Sequence, residues 1–305
     1  MLGMKRILGV AAPAILLGFM LAMPAKADEV TLKHGGLTLN GELTLADGKT
    51  LTDGVVLMVH GTLAHNAMDT IRNLAEVLIE RGFSTLAVNL SLGLDNRHGM
   101  YDCKTPHRHK HLDAVAEIGA WFAWLKEKGA GDVTLFGHSR GGNQAARFAT
   151  ETGNPKLRRL VLLAPATYDA AAAAQGFERA HKRPLADVLA EADAMVAAGR
   201  GAEMMTGAGL LYCPGADVSA DSFVSYYKPD PRRDTPSLLK ELKVPALVVA
   251  GGKDTVVKGL PDRVGPMADG KHLVFGVVGD ADHFFLDLYA EDVADFMEEF
   301  LSPGS

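Results

Sequence analysis

At residues 132–150 an apolar stretch runs into Gly137-His138-Ser139-Arg140-Gly141 and then, without a spacer, into a helical pattern. A chain that passes from strand to helix in so few residues must turn sharply. The corner residue is then held in a strained conformation with its side chain projecting. That residue is Ser139. Glycines suit the flanking positions because side chains there would collide with the turn. The new helix aims its first amides and the positive end of its dipole at the same point, which favours developing negative charge. A Gly-x-Ser-x-Gly pattern by itself also arises as an ordinary glycine-rich turn. The strand before it and the helix after it separate this one from that case.

The rest of the chain repeats the alternation. Residues 55–59 are continuously apolar, as in a strand buried on both faces. Residues 68–81 read as a helix stopped by Gly82, 84–88 as a strand, and 112–128 as a helix with Trp121, Trp124 and Leu125 on one side. A strand follows over 160–163. After an interruption come a strand at 246–250, a helix near 258–267, a strand at 272–278 and a closing helix over 284–301. Two short alternating segments, 30–33 and 37–45, read as a hairpin about Gly35-Gly36. This order predicts an α/β fold, a mostly parallel central sheet flanked by helices. The interruption, residues 167–237, reads as a helical cap inserted after about the sixth strand.

A serine hydroxyl is a weak nucleophile and needs a base in hydrogen-bond reach, itself oriented by an acid. Asp254, in Gly251-Gly252-Lys253-Asp254, and His283, in Asp280-Ala281-Asp282-His283-Phe284, each follow a predicted strand. In open α/β sheets the carboxyl ends of strands build the site. Alone, Asp254 reads as a turn aspartate and His283 as a helix-start histidine; together with Ser139 they stand in the required order. Asp282 is expected to point elsewhere as the direct neighbour of His283, and Asp280 to belong to the turn. The oxyanion donors are expected to be the backbone amides of Arg140 and of Thr62, with Leu63 as the competitor of Thr62. His60 reads as a structural hydrogen-bonding residue.

His60-Gly61-Thr62, Gly137-His138-Ser139-Arg140-Gly141-Gly142, Gly251-Gly252-Lys253-Asp254 and Ala281-Asp282-His283-Phe284-Phe285 together resemble the α/β-hydrolase superfamily, in its esterase and peptidase branch with a helical cap. The resemblance spans about residues 54–301. It implies a serine hydrolase with the triad Ser139, Asp254 and His283 and no cofactor or metal. Arg140 stands where many relatives carry methionine or glutamine. Its side chain is expected to brace the cap by a salt bridge, with binding of a substrate carboxylate as the alternative. A carboxylic ester with a short or medium acyl chain is the expected substrate. A thioester or a short peptide stands behind it, and a non-catalytic binding protein on the same fold is the alternative of a different class. Met195, Met204, Met205, Leu210, Leu211, Phe223, Tyr226 and Tyr227 in the cap are expected both to line an acyl pocket and to pack the cap onto the body.

The first 27 residues read as a secretory signal peptide. Lys5 and Arg6 precede an apolar run over 7–23, and Ala25-Lys26-Ala27 is a small-x-small cleavage site. An uncleaved anchor is disfavoured because the run is short for a span. The expected location is periplasmic or secreted. Removing 27 of 305 residues leaves 278, and losing Lys5, Arg6 and Lys26 takes the formal charge from −6 to −9. Such a balance argues against nucleic acid as a partner and against tight adsorption to anionic lipid. A coenzyme A thioester is likewise disfavoured for an exported chain without a basic patch. Cys103 and Cys213 are the two cysteines. In an oxidising compartment they form either a disulfide or two free thiols. The segment 94–111 carries His98, His107, His109 and His111 among charged residues; it reads as a solvated loop at the rim of the site rather than a metal site.

Overall fold

The structure, a computed structural model, describes residues 27–302. The expected signal peptide lies outside the described residues, apart from Ala27. Eight strands form one sheet in the order β1-β2-β4-β3-β5-β6-β9-β10. These are β1 (Ala27–His34), β2 (Leu37–Thr44), β3 (Val55–Val59), β4 (Thr85–Val88), β5 (Val133–His138), β6 (Leu157–Leu163), β9 (Ala246–Gly251) and β10 (Leu273–Val278). β1 and β2 are an antiparallel hairpin and β2 pairs antiparallel with β4. All other neighbours are parallel. The continuous apolar run of β3 is explained by its two faces. Leu57 and Val59 pack with Trp121, Phe122 and Phe148 from α2 (Asp113–Glu127) and α3 (Arg140–Thr152). Val56 and Met58 pack with Ile71 and Leu74 of α1 (Asp69–Glu80) and Met297 of α9 (Tyr289–Leu301). A strand with helices on both sides has no face left for polar side chains.

Two expected helices come out shorter. The one near 258–267 is a five-residue helix, α8 (Leu260–Val264), followed by a tight turn at Gly265–Met267 that contains Pro266. The closing helix begins at Tyr289, not at Phe284. Phe285 and Asp287 both have positive φ, 51° and 55°, which no helix accommodates. Residues 284–288 are instead the tail of the loop that carries His283.

Between β6 and β9 the chain forms α4 (Ala170–His181), α5 (Leu185–Ala197), the two-stranded ribbon β7 (Met204–Met205) and β8 (Val218–Ser219), α6 (Ala220–Tyr227) and α7 (Thr235–Leu239). Met205, Leu210, Phe223 and Tyr226 are buried in a core of their own with Phe177 and Val188. Of the apolar side chains expected to line an acyl pocket, these therefore serve packing. Cys103 and Cys213 are joined in a disulfide that ties the histidine-bearing segment to this insertion across 110 residues of chain.

His98 in that segment is exposed, as expected of a solvated loop, but residues 107–111 do not form one. His107, His109 and His111 are 0%, 1% and 2% exposed, while Arg108 and Lys110 between them are exposed. The alternation is that of an extended strand buried on one face. The insertion covers it: the His107 amide donates to the Asp217 carbonyl, the Ser219 amide to the His107 carbonyl, and Ser222 Oγ to the His109 carbonyl. His107 Nδ1 lies 3.1 Å from His109 Nε2, and His109 Nδ1 lies 2.9 Å from the Tyr226 hydroxyl. Among the described residues no group of three or more His, Cys, Asp or Glu side chains is arranged to hold a metal ion. No helix among them is long and apolar enough to cross a membrane.

Burial keeps these histidines neutral. It pushes His107 down to about 4 and His109 to about 3, and also holds His60 and His138 at about 3, from an ordinary 6.5. Below pH 6.5 the unfolded chain therefore binds protons at these positions that the folded chain refuses, so stability falls as pH falls. Glu117, which burial raises to about 6, acts in the opposite sense between about pH 6 and its ordinary 4.5, but supplies one proton against those of five histidines, His111 being held well below its ordinary value as well. The melting temperature is expected to be level above pH 7 and to drop steeply between pH 6.5 and 4.5. Each net proton contributes about 1.4 kcal/mol per pH unit. Calorimetric melts across that range check this; a level profile would contradict burial of the neutral rings.

Candidate active site

Ser139 stands between β5 and α3 with φ 56° and ψ −121°, a conformation that L-residues rarely adopt. The surroundings over-determine it. The Ser139 amide donates to the Leu163 carbonyl at 3.0 Å, and its own carbonyl accepts from the amides of Gly142 (3.0 Å) and Ala166 (2.8 Å). The glycines are required sterically. A Cβ on Gly137 would lie 2.5 Å from the Gly141 carbonyl oxygen, and one on Gly141 would overlap the His60 carbonyl. The predicted strand–turn–helix thus has its physical cause in close backbone approach on both sides of the serine.

His283 and Asp254 meet Ser139 from the ends of β10 and β9. The Ser139 hydroxyl is 2.9 Å from His283 Nε2, and His283 Nδ1 is 2.8 Å from Asp254 Oδ2. The other carboxylate oxygen of Asp254 accepts the amides of Val256 (2.7 Å) and Val257 (2.9 Å). Burial works to raise the Asp254 pKa, but the His283 hydrogen bond and these two amides outweigh it and hold the carboxyl below its ordinary value. An ionised Asp254 accepts from Nδ1–H, which leaves Nε2 as the acceptor facing the serine. All three side chains are buried, with Ser139 8% exposed at the floor of a cavity. Asp282 turns away to accept the Phe284 amide at 2.8 Å, and Asp280 pairs with Lys253 at the surface.

The Gly61-Thr62 loop lies directly against the elbow: a Cβ on Gly61 would sit 3.2 Å from Ser139 Cβ. Among the described residues, no internal hydrogen bond uses the amide of Thr62 or of Arg140. The loop is held from above. Tyr212, next to the disulfide, donates its hydroxyl to the Thr62 carbonyl at 3.2 Å. Arg140 Nε donates to Thr62 Oγ1 at 3.1 Å. His60 is structural, its Nε2 accepting the Leu90 amide at 3.1 Å with Arg97 beside it.

Arg140 departs from expectation. No carboxylate pairs with it among the described residues, so it does not brace the cap by a salt bridge. Its guanidinium instead lies over the Tyr226 ring, 5.3 Å from the centroid. Two further residues were not singled out from sequence. His138 Nε2–H donates to the His283 carbonyl at 2.9 Å and so supports the loop that carries His283. Tyr212 has no local signal at all, since its partner is 150 residues away.

The cavity above Ser139 measures about 810 Å³ and is mainly apolar, lined by Met68, Met100, Leu211, Tyr212, Phe284 and Leu286 among others. Leu211 is the one residue of those expected from the cap that reaches it. Met100, Tyr212, Phe284 and Leu286 are also among the most exposed apolar side chains of the described protein. The mouth of the site is therefore where the surface is least polar.

Comparison with known proteins agrees with this architecture. The model of the alpha/beta hydrolase family matches residues 56–296. No curated protein matches the sequence. Among solved structures, Est1E from Butyrivibrio proteoclasticus, determined with bound ferulic acid, is 18% identical with a TM-score of 0.63, over 90% of this chain and 100% of that one. A dienelactone hydrolase from Anabaena variabilis is 20% identical with a TM-score of 0.53, over 90% and 96%. An esterase from Pyrococcus furiosus is 16% identical with a TM-score of 0.56, over 91% and 92%. At such identities the likeness is one of fold.

Proposed function

Because the chain belongs to the alpha/beta hydrolase family, we propose that it is an exported serine hydrolase that cleaves a carboxylic ester through an acyl-enzyme. The observation that carries this reading is the unbroken relay from Ser139 to His283 to Asp254, at 2.9 and 2.8 Å, opening into an apolar cavity. His283 Nε2 takes the Ser139 proton as Oγ attacks the ester carbonyl. The oxyanion forms against the amides of Thr62 and Arg140, the second of them at the start of α3 where the helix dipole adds to it. His283 then returns the proton to the departing alcohol. Water, activated by the same nitrogen, releases the acid, while ionised Asp254 stabilises the charged imidazole.

An ester is favoured over a peptide by the apolar walls, which offer few partners for peptide amide groups. Two of the structural neighbours named above are a dienelactone hydrolase and an esterase, which supports the class without fixing the substrate. Export rests on the basic, apolar and small-x-small order at the start of the chain. The test uses protein beginning at residue 28, treated with a fluorophosphonate probe and with nitrophenyl esters of graded acyl length. Labelling together with ester hydrolysis is expected, with thioester and peptide panels as the competing outcomes. Absence of both labelling and hydrolysis would hand the molecule to the non-catalytic binding class.

A further inference from the structure

A second cavity, about 860 Å³, lies under the cap beside the first. Arg140, Leu211 and Val256 line both, so a molecule held at Ser139 extends naturally from one into the other. The second cavity is rich in positive charge. Arg140 and the buried Arg233 form part of its inner wall, and Arg179, Lys258 and Arg263 stand at its rim. Of these five, among the described residues, Arg263 alone is paired with a carboxylate, Asp234 at 2.6 and 2.8 Å. Among the described residues the one carboxylate lining the space is Asp169, an exposed rim residue that caps α4 by accepting the Ala172 amide.

The two inner arginines differ in what they can give. Arg233 donates both amino groups to the carbonyls of Tyr226 and Ser225, so it supplies charge and little else. Arg140 spends only Nε, on Thr62 Oγ1, and its guanidinium is kept flat by the Tyr226 ring. Its two amino groups enter no hydrogen bond among the described residues. Burial and then the charge of Arg140 push Arg233 down to about 10, against a smaller opposing pull from Tyr168 and Asp230. Semi-buried guanidinium groups in this state are suited to a planar oxyanion held by paired hydrogen bonds.

We propose that the second cavity binds an anionic group of the substrate, a carboxylate or a phosphate, on Arg140, so that the preferred ester carries a negative charge remote from its scissile carbonyl. The proposal rests on the ester-hydrolase reading above. The apolar cavity takes the uncharged part of the molecule, and the cations at the rim draw the charged end beneath the cap.

Three nitrophenyl esters of equal length test it: a hexanoate, the adipate monoester with a free carboxylate, and the corresponding phosphonate-tipped ester. Wild-type kcat/KM is expected to be about 10- to 100-fold higher for a charged ester, the range of a charge-assisted hydrogen-bond pair. Which of the two charged esters is faster identifies the anion. Arg140→Met keeps the amide at the elbow and is expected to abolish the preference. The double variant Arg179→Gln/Lys258→Gln is expected to lower kcat/KM for the charged ester more than for the hexanoate and to flatten the salt dependence of the charged ester. Equal or faster hydrolysis of the hexanoate by the wild type overturns the proposal, as does a preference that survives Arg140→Met. If no ester is hydrolysed, the ester reading fails separately. Calorimetric titration with adipate then decides the cavity: binding lost in Arg140→Met supports it, and no binding to either protein overturns it.

Discussion

Ser139→Ala protein is expected to lose all fluorophosphonate labelling and on the order of 10⁶ in kcat on nitrophenyl esters, about 8 kcal/mol of transition-state stabilisation. Without Oγ no acyl-enzyme forms, and His283 has no proton to accept. The oxyanion amides and the apolar cavity remain, so a residue of catalysis over water survives. The fold should survive too. Alanine at φ 56° is no more strained than serine, and the Ser139 backbone keeps its bonds to Leu163, Gly142 and Ala166. An unchanged melting temperature with lost turnover is the informative result; wild-type turnover in this variant would remove Ser139 from the chemistry.

Asp254→Asn is expected to lower kcat by about 10⁴, or roughly 5.5 kcal/mol, again with little change in fold. The geometry dictates why a nearly isosteric change is so damaging. One carboxylate oxygen of Asp254 accepts two backbone amides, from Val256 and Val257, and the other accepts His283 Nδ1–H. An asparagine must place its single oxygen on the two amides, since its amino group there would face two donors. The amino group then confronts Nδ1 and drives the imidazole into the tautomer with the proton on Nε2, which cannot take the serine proton. Steady-state kinetics with the nitrophenyl esters measure the loss. Near wild-type turnover in the asparagine variant would move the orienting role to another acid.

The elbow was legible because its determinants are adjacent in the chain. Gly137 answers a collision within the turn itself, with the Gly141 carbonyl, while Gly141 answers one with the distant His60 carbonyl; the strand and helix on either side announce themselves by period. The histidine segment was misread although its signal was also local. The alternation His107, Arg108, His109, Lys110, His111 is the pattern of a half-buried strand, and the charge of Arg108 and Lys110 drew the reading toward solvent. Arg140 was misread for another reason. Whether an arginine finds a carboxylate or an aromatic ring depends on what stands opposite, and Tyr226 is 86 positions further along (226 against 140).

Taken by itself, the amino-acid sequence determined the layered α/β architecture, the strained corner at Ser139 and the order in which Asp254 and His283 follow it. Each depends on short-range periodicity, on glycine at crowded turns, or on the rule that loops at strand ends converge. The tertiary structure alone decided the surroundings of that corner. The disulfide joins residues 110 apart, the relay from His109 reaches Tyr226 across 117, and Tyr212 reaches Thr62 across 150. Contacts between segments so far apart leave no pattern that identifies the partner, because each partner's side chain is chosen by a neighbour that only folding brings into place.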